Sequence, residues 1–203
     1  ILCEKSGELG GALRCERTVP FKADLFDFVR VKANELKQYG VEVRLNTEVT
    51  PEYAEAQGAE VLIIAVGAEA LIPPIPGMDG GNVEVANRVS EPDFRAGNTV
   101  VVLGGGLVGC EVGLHLAMEG KQVTVVEMGQ RVAADANVHL RNGLLLELDK
   151  QGVTLRTGLT GVQVTDKGLV CRTAEGAEEL LPADTVVCAV GQKPLSRVVD
   201  SLR

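Results

Sequence analysis

The run Val100-Val101-Val102-Leu103-Gly104-Gly105-Gly106-Leu107-Val108-Gly109, followed by Val123-Thr124-Val125-Val126-Glu127, decides the fold of this 203-residue chain. Apolar β-formers lead straight into a glycine turn. Beyond it, Leu107, Val108, Val112, Leu114 and Leu116 are spaced for one buried helix face, and Gly120 supplies a stop. Strand, turn, helix and acid-ended strand make a dinucleotide site because each glycine has its own task. Gly104 permits the turn out of the strand, and Gly106 lets the backbone of Gly105, Leu107 and Val108 approach a pyrophosphate. Gly109 brings the helix close to the strand. The phosphates then rest on the positive end of the helix.

Glu127 follows Gly104 at roughly the ~20-residue spacing of a ribose-binding acid. A carboxylate that accepts ribose hydroxyls favours NADH and repels the 2′-phosphate of NADPH. Arg131, four positions on, keeps NADPH open as the second choice.

Composition fits a soluble α/β protein, with 45% apolar residues and a net charge of −8. No cluster of basic residues with interleaved aromatics appears, which argues against nucleic acid as a partner. No apolar run reaches the ~18 residues of a membrane span, and no signal peptide is visible. Cys3, Cys15, Cys110, Cys171 and Cys188 are scattered without a CxxC pair, so they read as reduced core residues of a cytoplasmic protein rather than zinc ligands. His115 and His139 have no paired nucleophile, so both read as structural and no catalytic side chain or metal site is assigned.

An internal repeat organises the rest. Ile1-Leu2-Cys3-Glu4 resembles Val125-Val126-Glu127, a strand closing on an acid. The stretch from Glu35 through Gly40 to Arg44 resembles that from Glu147 through Gly152 to Arg156: a helix end, a glycine cap and a strand. Val61-Leu62-Ile63-Ile64-Ala65-Val66-Gly67 resembles Thr185-Val186-Val187-Cys188-Ala189-Val190-Gly191 and predicts a strand in each copy. The intervals between landmarks differ, so two length changes nearly cancel. Extra residues in the second copy read as an antiparallel meander, with Val162-Gln163-Val164 and Leu169-Val170-Cys171 flanking the turn Asp166-Lys167-Gly168. A helix from about Asp24 to Tyr39 is expected to pack Leu25, Phe28, Val29 and Leu36 into a core. Leu71-Ile72-Pro73-Pro74-Ile75-Pro76-Gly77 reads as an extended connection between domains.

These features resemble the flavoprotein reductases that carry two dinucleotide domains, one for FAD and one for NAD(P)H. Glu4-Lys5-Ser6-Gly7-Glu8-Leu9-Gly10-Gly11, Pro20-Phe21-Lys22 and Gly40-Val41-Glu42-Val43-Arg44-Leu45-Asn46-Thr47 look most like the C-terminal half of old-yellow-enzyme-type reductases. That group includes 2,4-dienoyl-CoA reductase, 2-enoate reductase and trimethylamine dehydrogenase. The resemblance implies that Glu4 binds the FAD ribose, that Gly10 and Gly11 approach the FAD phosphate or ribose, and that Val49 meets the adenine. It further implies that Gly67 crosses the flavin site, that Gly191 ends the matching motif at the NADH site, and that Glu111 lies toward the nicotinamide. An N-terminal barrel with FMN and an iron–sulfur cluster would belong to the same parent polypeptide. Because Cys15 stands alone, a disulfide substrate is disfavoured.

The expected architecture is therefore α/β: a three-layer Rossmann-like domain with a β-meander, inserted in a truncated second domain of the same type. Residues 1–77 form a partial FAD-type domain, 78–192 the NAD(P)H domain, and 193–203 begin the return to the first. The expected function is the NADH-binding electron-input portion of a flavin oxidoreductase, with no turnover by this piece alone. A non-enzymatic NAD(H)-binding or sensing module is the alternative, and it has no need of the second, flavin-like repeat.

Overall fold

Alternation along β-strands sorts the central strand's side chains to two faces, and both faces are covered. A computed structural model describes residues 1–91 and 93–203 and divides them into two compact units, residues 70–192 and residues 1–69 with 193–203. In the smaller unit, β1 (Leu2–Cys3) and β2 (Val43–Arg44) form a two-stranded parallel sheet. Between them lies α1 (Ala23–Gln38), and α2 (Pro51–Ala56) follows. Thr50 caps α2 by accepting from the Tyr53 N–H at 3.2 Å, with Pro51 in the first turn. The chain leaves this unit along β3 (Ala68–Ala70).

The larger unit contains β4 (Val83–Val85), β5 (Thr99–Leu103), α3 (Leu107–Met118), β6 (Gln122–Glu127), α4 (Val138–Lys150) and β7 (Thr154–Thr157). The meander β8 (Thr160–Thr165), β9 (Gly168–Arg172) and β10 (Glu178–Pro182) follows, and then β11 (Thr185–Cys188). Strand β12 (Gln192–Pro194) pairs with β3 on the way back to α5 (Ser196–Ser201).

The main sheet is parallel throughout, in the order β4-β11-β5-β6-β7. Val100 and Val102 of β5 join Val125, Leu114, Leu116, Leu144 and Leu148 on the helical face. Val101 and Leu103 join Val126, Val164, Leu169 and Cys171 on the meander face. Three layers result: helices, parallel sheet and antiparallel sheet, as the sequence predicts. The meander has a third strand, β10, that the sequence reading did not contain.

Three expectations need correction. Helix α3 is not buried along one stripe: Val108 is exposed, whereas Cys110, Leu114, His115, Leu116 and Ala117 are all buried. The cause is enclosure, since α3 packs on β5 and β6 and also against α4. Helix α1 buries none of its residues, and Leu25 and Phe28 are exposed, because a sheet of two-residue strands cannot cover a sixteen-residue helix. The expected strand Val61–Gly67 lies in no ladder and exposes Val61, Leu62 and Ile63. Its counterpart β11 sits between β4 and β5, and no such neighbours exist for Val61–Gly67 among the described residues. The proline-rich stretch lies in no helix or strand, and Leu71, Ile72, Pro74 and Pro76 are exposed. Ile75 joins the meander-side core and the Pro76 carbonyl accepts from the Val164 N–H at 2.8 Å.

Candidate dinucleotide site

The sheet changes direction at β5: β6 and β7 follow on one side, β11 and β4 lie on the other. Open α/β sheets bind ligands outside the carboxyl ends of the strands at such a switch point. The glycine turn occupies that place. Gly104 has φ +109°, and a methyl there would lie 2.5 Å from the Ala189 carbonyl oxygen, just beyond β11. A methyl on Gly109 would overlap the Gly104 carbonyl oxygen and come within 3.3 Å of the Ala189 Cβ. Gly113, one helical turn on, meets the Val125 Cγ2 at 2.8 Å by the same construction. This close packing of α3 on β6 through Gly113 went unnoticed in the sequence, where Gly109 alone carried that role.

The helix start is rich in unsatisfied donors, as a helix N-terminus is. The N–H groups of Gly106, Val108 and Gly109 make no hydrogen bond among the described residues. The Leu107 N–H donates to the Asp135 Oδ1 at 2.8 Å. Nothing in the sequence marks Asp135, which sits in a polar stretch between β6 and α4.

Glu127 ends β6 and is held on both oxygens. Its Oε2 accepts from the Gly105 N–H at 2.9 Å and its Oε1 from the Gly129 N–H at 2.7 Å. An ionised carboxylate has about four acceptor positions, so two remain for ribose hydroxyls. Arg131 is exposed. Glu111 lies half-buried on α3, and Gly191, at φ +125°, follows β11 with its carbonyl accepting from the Leu71 N–H at 2.9 Å.

The smaller unit repeats much of this pattern. Glu4 Oε1 accepts from the Ser6 N–H at 2.8 Å, as Glu127 Oε1 accepts from Gly129. The Glu4 carbonyl accepts from Thr47 N–H and the Glu127 carbonyl from Leu159 N–H. Asn46, at φ +51°, donates to the Ser6 carbonyl just as Gly158, at φ +70°, donates to that of Gly129. Sheet register agrees: Cys3 pairs with Arg44, and Val126 with Arg156. Backbone and hydroxyl hydrogen bonds from Ser6 hold the Glu4 carboxyl below its usual range. The remaining oxygen, Glu4 Oε2, has no counterpart of Gly105 among the described residues. Gly10, at φ +122°, lies against Arg14 and Val29, and Gly11, at φ +50°, opens a short turn of helix. Val49 is half-buried in a loop, and Gly67, at φ +80°, accepts from the Leu195 N–H at 3.2 Å.

All five cysteines are free thiols, and burial pushes those of Cys110 and Cys171 up to about 11. His115 is buried on α3 and His139 is exposed on α4. No group of side chains suited to a metal ion occurs among the described residues, and no helix there is long and apolar enough to cross a membrane.

A parallel sheet with a close-packed glycine turn at its switch point, free amides at the next helix and an acid on the next strand defines a dinucleotide-binding protein. Residues 37–202 match the pyridine nucleotide-disulphide oxidoreductases, and the chain belongs to that family. It is 35% identical over 202 residues to an NADH oxidase of Thermoanaerobacter brockii, covering 96% of this chain and 31% of that protein. To a bilirubin reductase of Mediterraneibacter gnavus it is 36% identical over 194 residues, covering 96% and 30%. Among solved structures, a 2-naphthoyl-CoA reductase in complex with 2-naphthoyl-CoA superposes with a TM-score of 0.92 at 27% identity, over 99% of this chain and 30% of that one. The chain thus spans about a third of the length of these curated relatives. The resemblance to flavoprotein reductases is borne out, as is the Rossmann-like fold.

Proposed function

We propose that residues 70–192 bind NADH and deliver its electrons to an FAD held with the smaller unit, as the input portion of a longer oxidoreductase. The observation that carries this is the twofold occurrence of the acid-centred bond pattern, at Glu127 and at Glu4. One such acid serves one dinucleotide; a sensor of NAD(H) needs only one. The residues fit the groups they would hold. Free N–H donors at the start of α3 suit a pyrophosphate, and the two remaining acceptor positions of Glu127 suit a ribose diol. Glu4 offers the same to an FAD ribose, with Gly10, Gly11, Val49 and Gly67 near the rest of that nucleotide.

When both are bound, the chemistry supplied is hydride transfer from the nicotinamide C4 to the flavin N5. No side chain of this chain has to hold or move a proton for that step. What the protein contributes is position and exclusion of water. Gly104 and Gly109 let the turn close onto the strand; Glu127 would hold the ribose, and Glu111 and Gly191 would lie toward the nicotinamide. A negative Glu127 favours NADH over NADPH. Onward transfer leads to an acceptor in the remainder of the polypeptide, for which an N-terminal barrel with FMN and an iron–sulfur cluster is the reading that the resemblance supports. The five cysteines of this chain fall in no CxxC or CxxxxC spacing, which favours a route other than through a disulfide.

The visible absorption spectrum of the purified full-length parent, before and after NADH, tests this reading. Flavin bands that bleach with NADH are expected. A full-length protein purified without flavin would refute the electron-input role while leaving NADH binding open.

A further inference from the structure

One of the backbone donors at the start of α3 is already in use. Leu107, the first residue of the helix, gives its N–H to the Asp135 Oδ1 at 2.8 Å. Both carboxylate oxygens of Asp135 sit 3.6–3.7 Å from where a Gly106 methyl would be, directly over the glycine turn. The side chain thus stands where an anionic ligand would receive the helix amides.

The segment carrying Asp135 is anchored at its root. Ala133 is fully buried and donates its N–H to the Gly105 carbonyl at 2.7 Å, and Arg141 Nε donates to the Val132 carbonyl at 2.9 Å. Asp135 itself is exposed. Rotation of its side chain therefore releases the Leu107 N–H without disturbing Ala133, and the freed carboxylate passes into water.

We propose that Asp135 is a specificity and affinity residue of this site: a built-in anion that caps α3 and that the pyrophosphate must displace. The inference rests on the nucleotide reading of the fingerprint. A diphosphate entering the turn meets two fixed negative groups, Glu127 on the Gly105 N–H and Asp135 on the Leu107 N–H. Glu127 offers acceptors to the ribose in return. Asp135 competes for the same donor, so its charge weakens phosphate-bearing ligands selectively. A charge-assisted bond is roughly twice as strong as a neutral one, so replacement of the carboxylate by a neutral group weakens the competition and removes the repulsion.

Calorimetric titration of the unchanged chain, Asp135→Asn and Asp135→Ser with NADH, ADP and adenosine tests this. Both substitutions remove the charge at an exposed position, so either one suffices if the other folds poorly. NADH and ADP are expected to bind about fivefold more tightly to the variants, with adenosine unchanged, and the gain should shrink as salt is raised. NADH and ADP affinities that stay the same or fall in the variants would overturn the role of Asp135 and leave the nucleotide site standing. A gain shared by adenosine would overturn it too, since that ligand carries no phosphate. An unchanged chain that binds neither NADH nor ADP would overturn the nucleotide reading itself, and this inference with it.

Discussion

Adding one methyl at Gly109 and the same methyl at Gly143 should have opposite effects. At Gly109 the new Cβ lies 3.0 Å from the Gly104 carbonyl carbon, with the oxygen pointing at it. A C=O bond is about 1.2 Å long, so the oxygen and the methyl overlap. Neither partner can rotate away, because the Gly104 N–H is tied to the Val126 carbonyl at 2.9 Å and the next carbonyl, that of Gly105, accepts from Ala133. The helix start must draw back by about 1 Å, at an overpacking cost of ~3 kcal/mol. Alanine returns ~1 kcal/mol of helix propensity, leaving a net loss of about 2 kcal/mol. At Gly143, an exposed position on α4, a methyl meets nothing within 4 Å and the backbone is helical, so only the propensity gain of ~1 kcal/mol is left. Urea unfolding followed by circular dichroism measures both. Gly109→Ala should lower the midpoint and weaken NADH by tenfold or more, and Gly143→Ala should raise the midpoint with binding unchanged. Equal stability and equal NADH affinity in wild type and Gly109→Ala would refute the close-packed turn.

Three further outcomes are expected. Glu127→Ala removes the acceptor for the Gly105 and Gly129 N–H groups and for the ribose, so NADH should bind about 10- to 100-fold more weakly by calorimetry, matching charged hydrogen bonds of ~1.5–3 kcal/mol. Burial raises the thiols of Cys110 and Cys171 to about 11 in the folded state, so the protonated form is the one that folding favours. Their contribution to stability is complete below the unfolded thiol value of about 8.5 and is lost as pH rises toward 11; urea midpoints should fall over that window, and less so in Cys110→Ala relative to its own neutral-pH value. The Glu4 carboxyl is held low by Ser6, so its contribution is present above the ordinary carboxylate range and disappears as pH falls through its folded value. Glu4→Gln should therefore flatten the acid limb of a pH-stability curve, measured by urea unfolding.

What the sequence revealed, and where it failed, follows from how local each signal is. The glycine turn, the acid of β6 and the caps at Gly40, Gly120 and Gly152 were legible because each is a backbone requirement met by one residue: all three caps have positive φ. The meander was legible from its turn at Gly168, φ +131°. By contrast, Val61–Gly67 has the composition of a strand and the exposure of a loop, because a ladder needs neighbours and those are not among these residues. The apolar face of α1 failed for the same reason. Composition states what a segment can bury, not whether anything is there to cover it. Asp135 was invisible because its bond to Leu107 spans 28 positions, and the nearby left-handed turn at Ala133, φ +47°, is a conformation that alanine does not advertise.

Calorimetric titration of the chain with NADH and, side by side, with NADPH tests the central claim most directly. Saturable binding of NADH, tighter than that of NADPH and weakened by Glu127→Ala, is the expected result. NADPH as the tighter ligand, or no binding of either, would contradict it.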